Sequence, residues 1–319
     1  MGVGLKSCLV LNPLSGGKRS DGLRRGLERA FRDIVPGGRV TETRGAGDAE
    51  TIVRSLLADG FECVAVAGGD GTINEAVNGY FAAPGAAADE PRPVNASACL
   101  AVVPLGTGGD FRRSLGLEPD PLAALSLLTG SSTVECDVGL ATYVDPAGAS
   151  ARRLFVNVAS FGLSSLVVEY VNSSHRRVPG PMAYFGSTLR AFGSYRSVQT
   201  RLLMDRGEQR VERPLVVAVA NGRFFGGGME IAPEADMRDG LLDVVIVSDV
   251  GLGEFVYHAP KLYGGRLTDL PQVAHRRVRE ISLSTLDGGR RLGLEMDGEA
   301  LGRTPATISV LPGTLRLKS

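Results

Sequence analysis

An apolar run, Val64-Ala-Val-Ala67, stops at Gly68-Gly69-Asp70-Gly71 and gives way at once to the helix-compatible Thr72-Ile-Asn-Glu75. A buried strand, a glycine turn and a helix start deliver bare backbone N–H groups to one point, which is a ready anion site. Glycine lets the chain turn tightly and lets a phosphate come close to its amides. Asp70 adds a carboxylate where the metal of a metal–nucleotide would sit. The same turn also serves tight packing alone, and short glycine motifs give false matches. Two neighbours favour a ligand. Cys8-Leu-Val-Leu-Asn12 leads into Pro13-Leu-Ser-Gly-Gly-Lys-Arg-Ser20, and Cys99-Leu-Ala-Val-Val-Pro104 leads into Leu105-Gly-Thr-Gly-Gly-Asp110. In a parallel sheet, three such strand ends collect along one edge, where ligands bind.

The familiar phosphate loops are excluded. A P-loop needs Gly-x-x-x-x-Gly-Lys-Ser/Thr, whereas Gly17-Lys18 is preceded by Asn12 and followed by Arg19. None of the three loops spells Gly-x-Gly-x-x-Gly after its strand.

Up to about residue 130 the chain alternates strand and helix. Strands at 8–12, 39–43, 63–67 and 99–103 lead to helices near 20–34, 48–59, 72–83 and 121–129. Such alternation predicts a parallel sheet covered by helices. After about Val134 short β-rich runs dominate: Leu154–Ala159, Gln199–Met204, Leu215–Ala220, Leu242–Ser248, Glu280–Leu286 and Thr307–Leu311. Turn signals such as Asp205-Arg-Gly207 and Asp287-Gly-Gly289 separate them, which points to antiparallel pairing. Helical patterns interrupt at Ser164–Asn172 and Met182–Ser194. In the second, Met182, Phe185, Leu189 and Phe192 share a face that either packs in the core or walls an apolar substrate. The expected class is α/β plus β. A parallel α/β nucleotide-binding domain at 1–133 precedes a largely antiparallel, β-sandwich-like substrate domain at 134–311. The tail at about 312–319 is expected to pack back on the first domain.

Lysine plus arginine and aspartate plus glutamate each number 35, so the net charge is zero. That argues against a nucleic-acid partner. The doublets Arg152-Arg153, Arg176-Arg177, Arg276-Arg277 and Arg290-Arg291 read singly as solvated surface, and together as a footing for anionic lipid headgroups. No run of about eighteen apolar residues predicts a spanning helix, and no signal peptide is read at the N-terminus. Cys8, Cys63, Cys99 and Cys136 form no Cys-x-x-Cys pair and read as buried free thiols in a reducing compartment. His175, His258 and His275 are too scattered for a metal cluster.

Asn12-Pro13 with Gly16-Gly17, Gly68-Gly-Asp-Gly-Thr-Ile-Asn74, Gly106-Thr-Gly-Gly-Asp-Phe111 and Asp297-Gly-Glu299 occur in that order. With Gly226-Gly-Gly-Met-Glu-Ile-Ala-Pro233 and Asp239-Gly-Leu-Leu-Asp243, the chain resembles the diacylglycerol kinase catalytic family in its stand-alone bacterial form. The resemblance implies transfer of the ATP γ-phosphate to a lipid hydroxyl, with ATP and Mg²⁺ as cofactors. Asn12, Gly68, Gly69, Asp70, Gly71, Thr72, Thr107 and Thr43 (followed by Gly45 and Asp48) would contact the nucleotide. Lys18 and Arg113 would bring positive charge to it, or lie as plain surface residues. Asp70 and Asp110 would hold the Mg²⁺, since magnesium takes oxygen ligands and keeps several waters.

Asp297 reads either as an Asp-Gly turn residue or as the general base. Glu299, placed on the same side of an extended strand by the period of two, would support it. Asp236, Asp239 and Leu241 match a structural metal position of the bacterial members, with an ordinary Asp-Gly turn as competitor. The third loop carries Gly109 where the family usually has Asn. Both residues adopt left-handed backbone angles readily, so the loop shape is retained and amide hydrogen bonds are lost. Partners implied are ATP, a lipid alcohol and an anionic membrane touched peripherally at its cytoplasmic face; a homodimer is allowed for. A soluble NAD kinase-like enzyme and a non-catalytic nucleotide-binding regulator are the competing readings. The acceptor is open among diacylglycerol, sphingoid bases, ceramide-like lipids and polyprenols.

Overall fold

The computed structural model describes residues 5–16, 20–83, 90–106, 108–173, 180–205 and 207–319; the side chains of 20, 21 and 180–185 lie outside the described set. The chain divides into two compact units, Met1–Asp137 with Gly313–Ser319, and Val138–Pro312.

In the first unit β1 (Ser7–Leu11), β2 (Arg39–Glu42), β3 (Cys63–Gly68) and β4 (Cys99–Pro104) form a parallel sheet in the order β2-β1-β3-β4. The last residues of the chain join it, with Leu317 paired parallel to Leu100. β1 and β3 are buried at every position. Burial on both faces is what writes their continuous apolar runs. Helices α1 (Ser20–Ile34), α2 (Asp48–Ala58), α3 (Asp70–Tyr80), α4 (Asp110–Ser114) and α5 (Pro121–Ser126) follow the strands. Leu27 and Phe31 of α1 pack on Leu9, Leu11, Ala65 and Val103. All four cysteines are free and buried, and burial pushes the Cys8 thiol up to about 12.

The second unit is largely antiparallel. Its strands are the end of β5 (Thr133–Val144), then β6 (Ser150–Phe155), β7 (Val158–Gly162), β8 (Thr200–Met204), β9 (Glu208–Glu212), β10 (Pro214–Ala220), β11 (Phe224–Phe225), β12 (Met229–Glu230), β13 (Leu242–Ser248), β14 (Val273–Val278), β15 (Glu280–Thr285), β16 (Gly293–Met296) and most of β17 (Glu299–Lys318). One run of neighbours is β14-β13-β10-β7-β16-β17. From β17 the pairing continues to β15-β8-β9 and, separately, to β5-β6. Phe155, Phe161, Val217, Ile246, Ile281, Leu294 and Ile308 share the buried core of this sandwich-like arrangement.

Among the described residues this unit carries the α-helices α6 (Leu163–Ser173), α7 (Gly180–Ser194) and α8 (Leu252–Tyr263). Leu163 and Val167 of α6 pack with Ala191 of α7 against Leu215. On the expected apolar face of α7, Phe192 packs against Phe255 of α8, with ring centroids 4.8 Å apart and the planes tilted by 51°. Leu189 is exposed. The Met182 and Phe185 side chains lie outside the described set.

One strand expected at Leu154–Ala159 is in fact two. The chain breaks at Val156-Asn157, where β6 hands over to β7. The cause is a carboxylate 140 residues away, described below. The short run expected at Thr307–Leu311 belongs to the twenty-residue β17.

Candidate functional site

The C-terminal ends of β1, β3 and β4 bring their glycine loops together within the first unit. Asn12 N–H donates to the Ala67 carbonyl (2.9 Å), and its Nδ2 donates to Thr72 Oγ1 (2.8 Å). Leu105 N–H donates to the Gly68 carbonyl (2.9 Å). The second and third loops touch backbone to backbone: a Cβ on Gly106 would lie 2.5 Å from Gly69 Cα. Only glycine at 106 permits that approach. Thr43, buried just past β2, donates its N–H to the Leu11 carbonyl (2.9 Å) beside Asn12. Lys18 and Thr107 lie outside the described residues, as do Arg176 and Arg177.

The helix starts at this edge are treated unequally. Those of α2 and α4 are capped by carboxylates carried on α3. Glu75 accepts from Gly47 N–H (2.8 Å) and Ala49 N–H (3.2 Å). Asp70 accepts from Asp110 N–H and Phe111 N–H, each at 3.2 Å. The start of α3 itself, at Gly69-Asp70-Gly71, has no side-chain cap among the described residues. A helix N-terminus carries up to four unpaired N–H groups and about half a positive charge. The glycine loop therefore opens onto the one start of the three that no carboxylate fills.

Asp110 is buried, and its Oδ1 pairs with Arg113 Nη1 at 2.9 Å; the same nitrogen donates to the Gly108 carbonyl (2.5 Å). Gly108 leaves room for the Asp70 carboxylate, since a Cβ there would meet Oδ2 at 2.7 Å. Asp70, Asp110 and Arg113 sum to one negative charge on oxygen donors alone. That suits a hard divalent cation that arrives with phosphate oxygens and keeps its waters. Among the described residues no cluster of three or more His, Cys, Asp or Glu stands ready to hold a metal unaided. Gly109 has φ 67° and ψ 34°, the left-handed shape expected of it.

In the second unit Asp297 and Gly298 form the two-residue turn of the β16–β17 hairpin. Their φ angles are 47° and 88°, and Met296 pairs directly with Glu299. Two adjacent positive φ values are the mark of the tight hairpin turn that Asp-Gly favours. The extended-strand argument that put Glu299 on the side of Asp297 is therefore overturned. Glu299 lies across the hairpin and forms an ion pair with Arg153 at 3.5 Å.

The Asp297 carboxylate faces the break in the neighbouring strand. Oδ2 accepts from Val156 N–H (3.0 Å), and Oδ1 accepts from Asn157 N–H (3.1 Å) and Val158 N–H (3.0 Å). An ionised, acceptor-only carboxylate suits three donors. Its neighbour Glu295 is buried, accepts from Gly298 N–H (3.2 Å) and takes a bond from Ser160 Oγ. Sequence reasoning gave Glu295 no role. Its inward place in β16 follows from strand alternation, but its serine partner, 135 residues away, does not.

The 236–241 loop behaves as its competitor reading has it. Asp239 Oδ1 accepts from Leu241 N–H (2.9 Å), Asp236 Oδ1 accepts from Arg238 N–H (3.1 Å), and Gly240 has φ 72°. Arg277 pairs with Asp239 and Arg238 with Asp236. Of the three, Asp239 was expected to give its carboxylate and Asp236 and Leu241 their backbone carbonyls; here the Asp239 carboxylate is taken up by Leu241 N–H and Arg277, and the Asp236 carbonyl accepts from Asp239 N–H (3.5 Å). Next to this loop His275 Nε2 lies 2.6 Å from Oδ1 of the buried Asp243. That bond, reinforced by the carboxylate's charge, raises the imidazole above its ordinary value.

Two family descriptions match the chain: diacylglycerol kinase catalytic domain over residues 6–141, and YegS C-terminal NAD kinase beta sandwich-like domain over 157–319. A Pseudomonas aeruginosa (strain UCBPP-PA14) protein named "Probable lipid kinase YegS-like" is 32% identical over 271 residues, 85% of this chain and 81% of that one. A Mycobacterium tuberculosis (strain CDC 1551 / Oshkosh) protein named diacylglycerol kinase is 28% identical over 319 residues, 98% and 94% of the two chains. The crystal structure of a diacylglycerol kinase from Bacillus anthracis str. Sterne shares the fold with a TM-score of 0.69 over 98% of this chain and 96% of its own, at 23% identity.

Proposed function

The chain belongs to the diacylglycerol kinase family of lipid kinases, and we propose that it transfers the γ-phosphate of ATP to the hydroxyl of a lipid alcohol, with diacylglycerol, giving phosphatidic acid, as the leading substrate. The observation that carries this reading is the start of α3 at Gly69-Asp70-Gly71, which no side chain caps among the described residues, while α2 and α4 are capped. Phosphoryl transfer is mainly positioning and charge neutralisation, and that start supplies both. Thr72, pinned by Asn12, fixes the first turn of α3 against β1. Asp70 and Asp110 would hold Mg²⁺, and Arg113 would balance the charge around it. When bound, Mg·ATP supplies the phosphoryl group and the positive charge that offsets its transfer.

Asp297 would take the proton of the lipid hydroxyl. Three backbone N–H donors hold its carboxylate in place, so little reorganisation is required of it. Such a base contributes about 10²–10⁴ in rate. Glu299, neutralised by Arg153, would tune the field at that turn.

The acceptor would be met at a membrane surface. Among the described residues no helix is long and apolar enough to cross a membrane. Helix α8 exposes Leu252, Val256, Tyr257 and Tyr263, a combination of aliphatic and tyrosine side chains suited to the headgroup boundary. Peripheral contact with an anionic, cytoplasmic leaflet is the proposed setting.

The test is incubation with γ-labelled ATP and a panel of lipids, followed by organic extraction and chromatography. Label in a phospholipid product supports the reading and names the acceptor. Label found only as free phosphate, or on a water-soluble acceptor such as a dinucleotide, would overturn it.

A further inference from the structure

In the second unit a cavity of about 560 Å³ opens beside α6, the end of α7 and the base of the β16–β17 hairpin. Four arginines line it, Arg196, Arg290, Arg291 and Arg303, against one acidic residue, Glu169. The count of four positive and one negative leaves three positive charges in one concavity.

These arginines differ from the other doublets. Arg276 pairs with Glu208, Arg277 with Asp239 and Arg153 with Glu299. Among the described residues, Arg196 Nη1 donates to the Tyr195 carbonyl (2.8 Å), and Arg291 Nη1 to the Thr304 carbonyl (3.0 Å). Neither partner carries charge. Arg303 Nε is buried without a hydrogen-bond partner among the described residues. A buried N–H left unpaired is rare and costly. Net positive charge, planar donors and a buried Nε donor suit the same partner, an oxyanion. Arginine clusters of this kind recognise phosphate through paired N–H donors. Leu166, Val198 and Leu292 add apolar wall, which suits a phosphate carried on carbon better than a bare ion.

We propose that this cavity binds a phosphate ester group, the chemistry shared by anionic phospholipid headgroups and small organic phosphates. The assignment is independent of the phosphoryl-transfer reading and of the α3 loop. It does, however, sit on the hairpin that carries Asp297. The Gly293–Arg303 pair lies three residues along β16 from the Met296–Glu299 pair, about 10 Å at strand rise. An anion seated there would brace the hairpin whose turn presents the proposed base.

The test compares the wild-type protein, a cavity variant Arg196→Gln/Arg290→Gln, and a charge-matched control Arg25→Gln/Arg29→Gln on α1. The cavity arginines chosen are exposed, as are the control ones, so folding is not at stake. Each protein is titrated with glycerol 3-phosphate and, separately, sedimented with phosphatidylcholine vesicles with and without phosphatidylglycerol. The cavity variant should lose affinity at least about tenfold relative to the control, since each charge-assisted hydrogen bond is worth roughly that factor. Loss toward glycerol 3-phosphate identifies a soluble ester; loss toward anionic vesicles alone identifies a headgroup. Arg303→Lys, which keeps charge but not the planar fork, should weaken the same ligand. Equal losses in cavity variant and control, or no wild-type binding to either probe, would overturn the proposal.

Discussion

The Asp70 carboxylate caps the helix that begins at Asp110: Oδ2 accepts from Asp110 N–H and Oδ1 from Phe111 N–H, both at 3.2 Å. One side chain thus joins two glycine loops, and the residue proposed to hold the cation also holds its partner ligand in place. Chemistry and local stability should therefore fail together at Asp70.

Asp70→Asn keeps one acceptor oxygen and sets an amide N–H₂ against the other backbone donor. A lost cap of this kind costs about 0.5–2 kcal/mol. The variant should melt lower, and its activity should need more Mg²⁺, because a formal charge has left the shell. Thermal melts and a Mg²⁺ titration of activity check this. Unchanged Mg²⁺ dependence would remove Asp70 from the cation site.

Asp297→Asn should abolish transfer while nucleotide affinity in calorimetry stays within a few-fold. Stability should fall as well. The amide replaces one acceptor with a donor facing the strand break, and an unpaired buried N–H costs about 1–3 kcal/mol. Asn tolerates positive φ, so the turn itself survives. Near-normal turnover would refute the assignment of Asp297 as base.

Gly109 sits at φ 67°, and a Cβ there would lie 3.2 Å from Arg112 Nε, so the Arg112 side chain, which donates to the Leu117 carbonyl (2.7 Å), must shift slightly to admit one. Gly109→Asn should fold and bind ATP more tightly, by about 0.5–1.5 kcal/mol per hydrogen bond gained. Gly109→Val should distort the loop, because positive φ is costly for a β-branched residue, and should lose metal-dependent activity. If Val binds ATP as well as Gly does, the backbone argument is wrong.

Much of this was legible in the sequence where burial writes a pattern. β1, β3 and β4 are continuous apolar runs because helices cover both faces, and the glycine loops that follow stand out by composition. Long-range hydrogen bonds left no such trace. Capping rules look a few residues along the chain, whereas Asp70 caps Asp110 from 40 residues away and Glu75 caps Gly47 from 28. The break inside Leu154–Ala159 was hidden for the same reason, since its amides turn to Asp297. Helix α8 was missed because Pro260 lies inside it, a residue that reads as a helix stop, and because Leu252, Val256 and Tyr257 on its exposed side are apolar. Glu299 was misplaced by applying strand alternation across a turn.

The Asp243–His275 pair predicts a pH dependence. The folded imidazole is raised, first by its bond to Asp243, then by the charges of Asp243 and Glu234, against burial and Arg276. A raised folded value stabilises the protein fully below the unfolded value of about 6.5. The contribution is lost as pH rises through the folded value. His275→Gln keeps an N–H donor toward Asp243 and removes the charge. Denaturant melts should show wild type more stable than this variant at acidic pH, with the gap closing in alkali. A pH-independent gap would mean packing alone.

The central claim is that the α3 start is left bare to receive nucleotide phosphate, and Gly69→Asp tests it most directly. Gly69 has φ −89° and ψ −178°, a backbone any residue adopts, and a Cβ there would make ordinary contact with Gly106 Cα at 3.4 Å. An aspartate at this N-cap supplies the carboxylate the helix lacks, so the variant should be as stable as wild type or more so. The same carboxylate would occupy the phosphate position. Calorimetric titration with Mg·ATP should then show affinity reduced by at least about tenfold, the equivalent of 1.4 kcal/mol, alongside an unchanged or higher melting temperature. Undiminished Mg·ATP affinity in a stably folded Gly69→Asp protein would contradict the account.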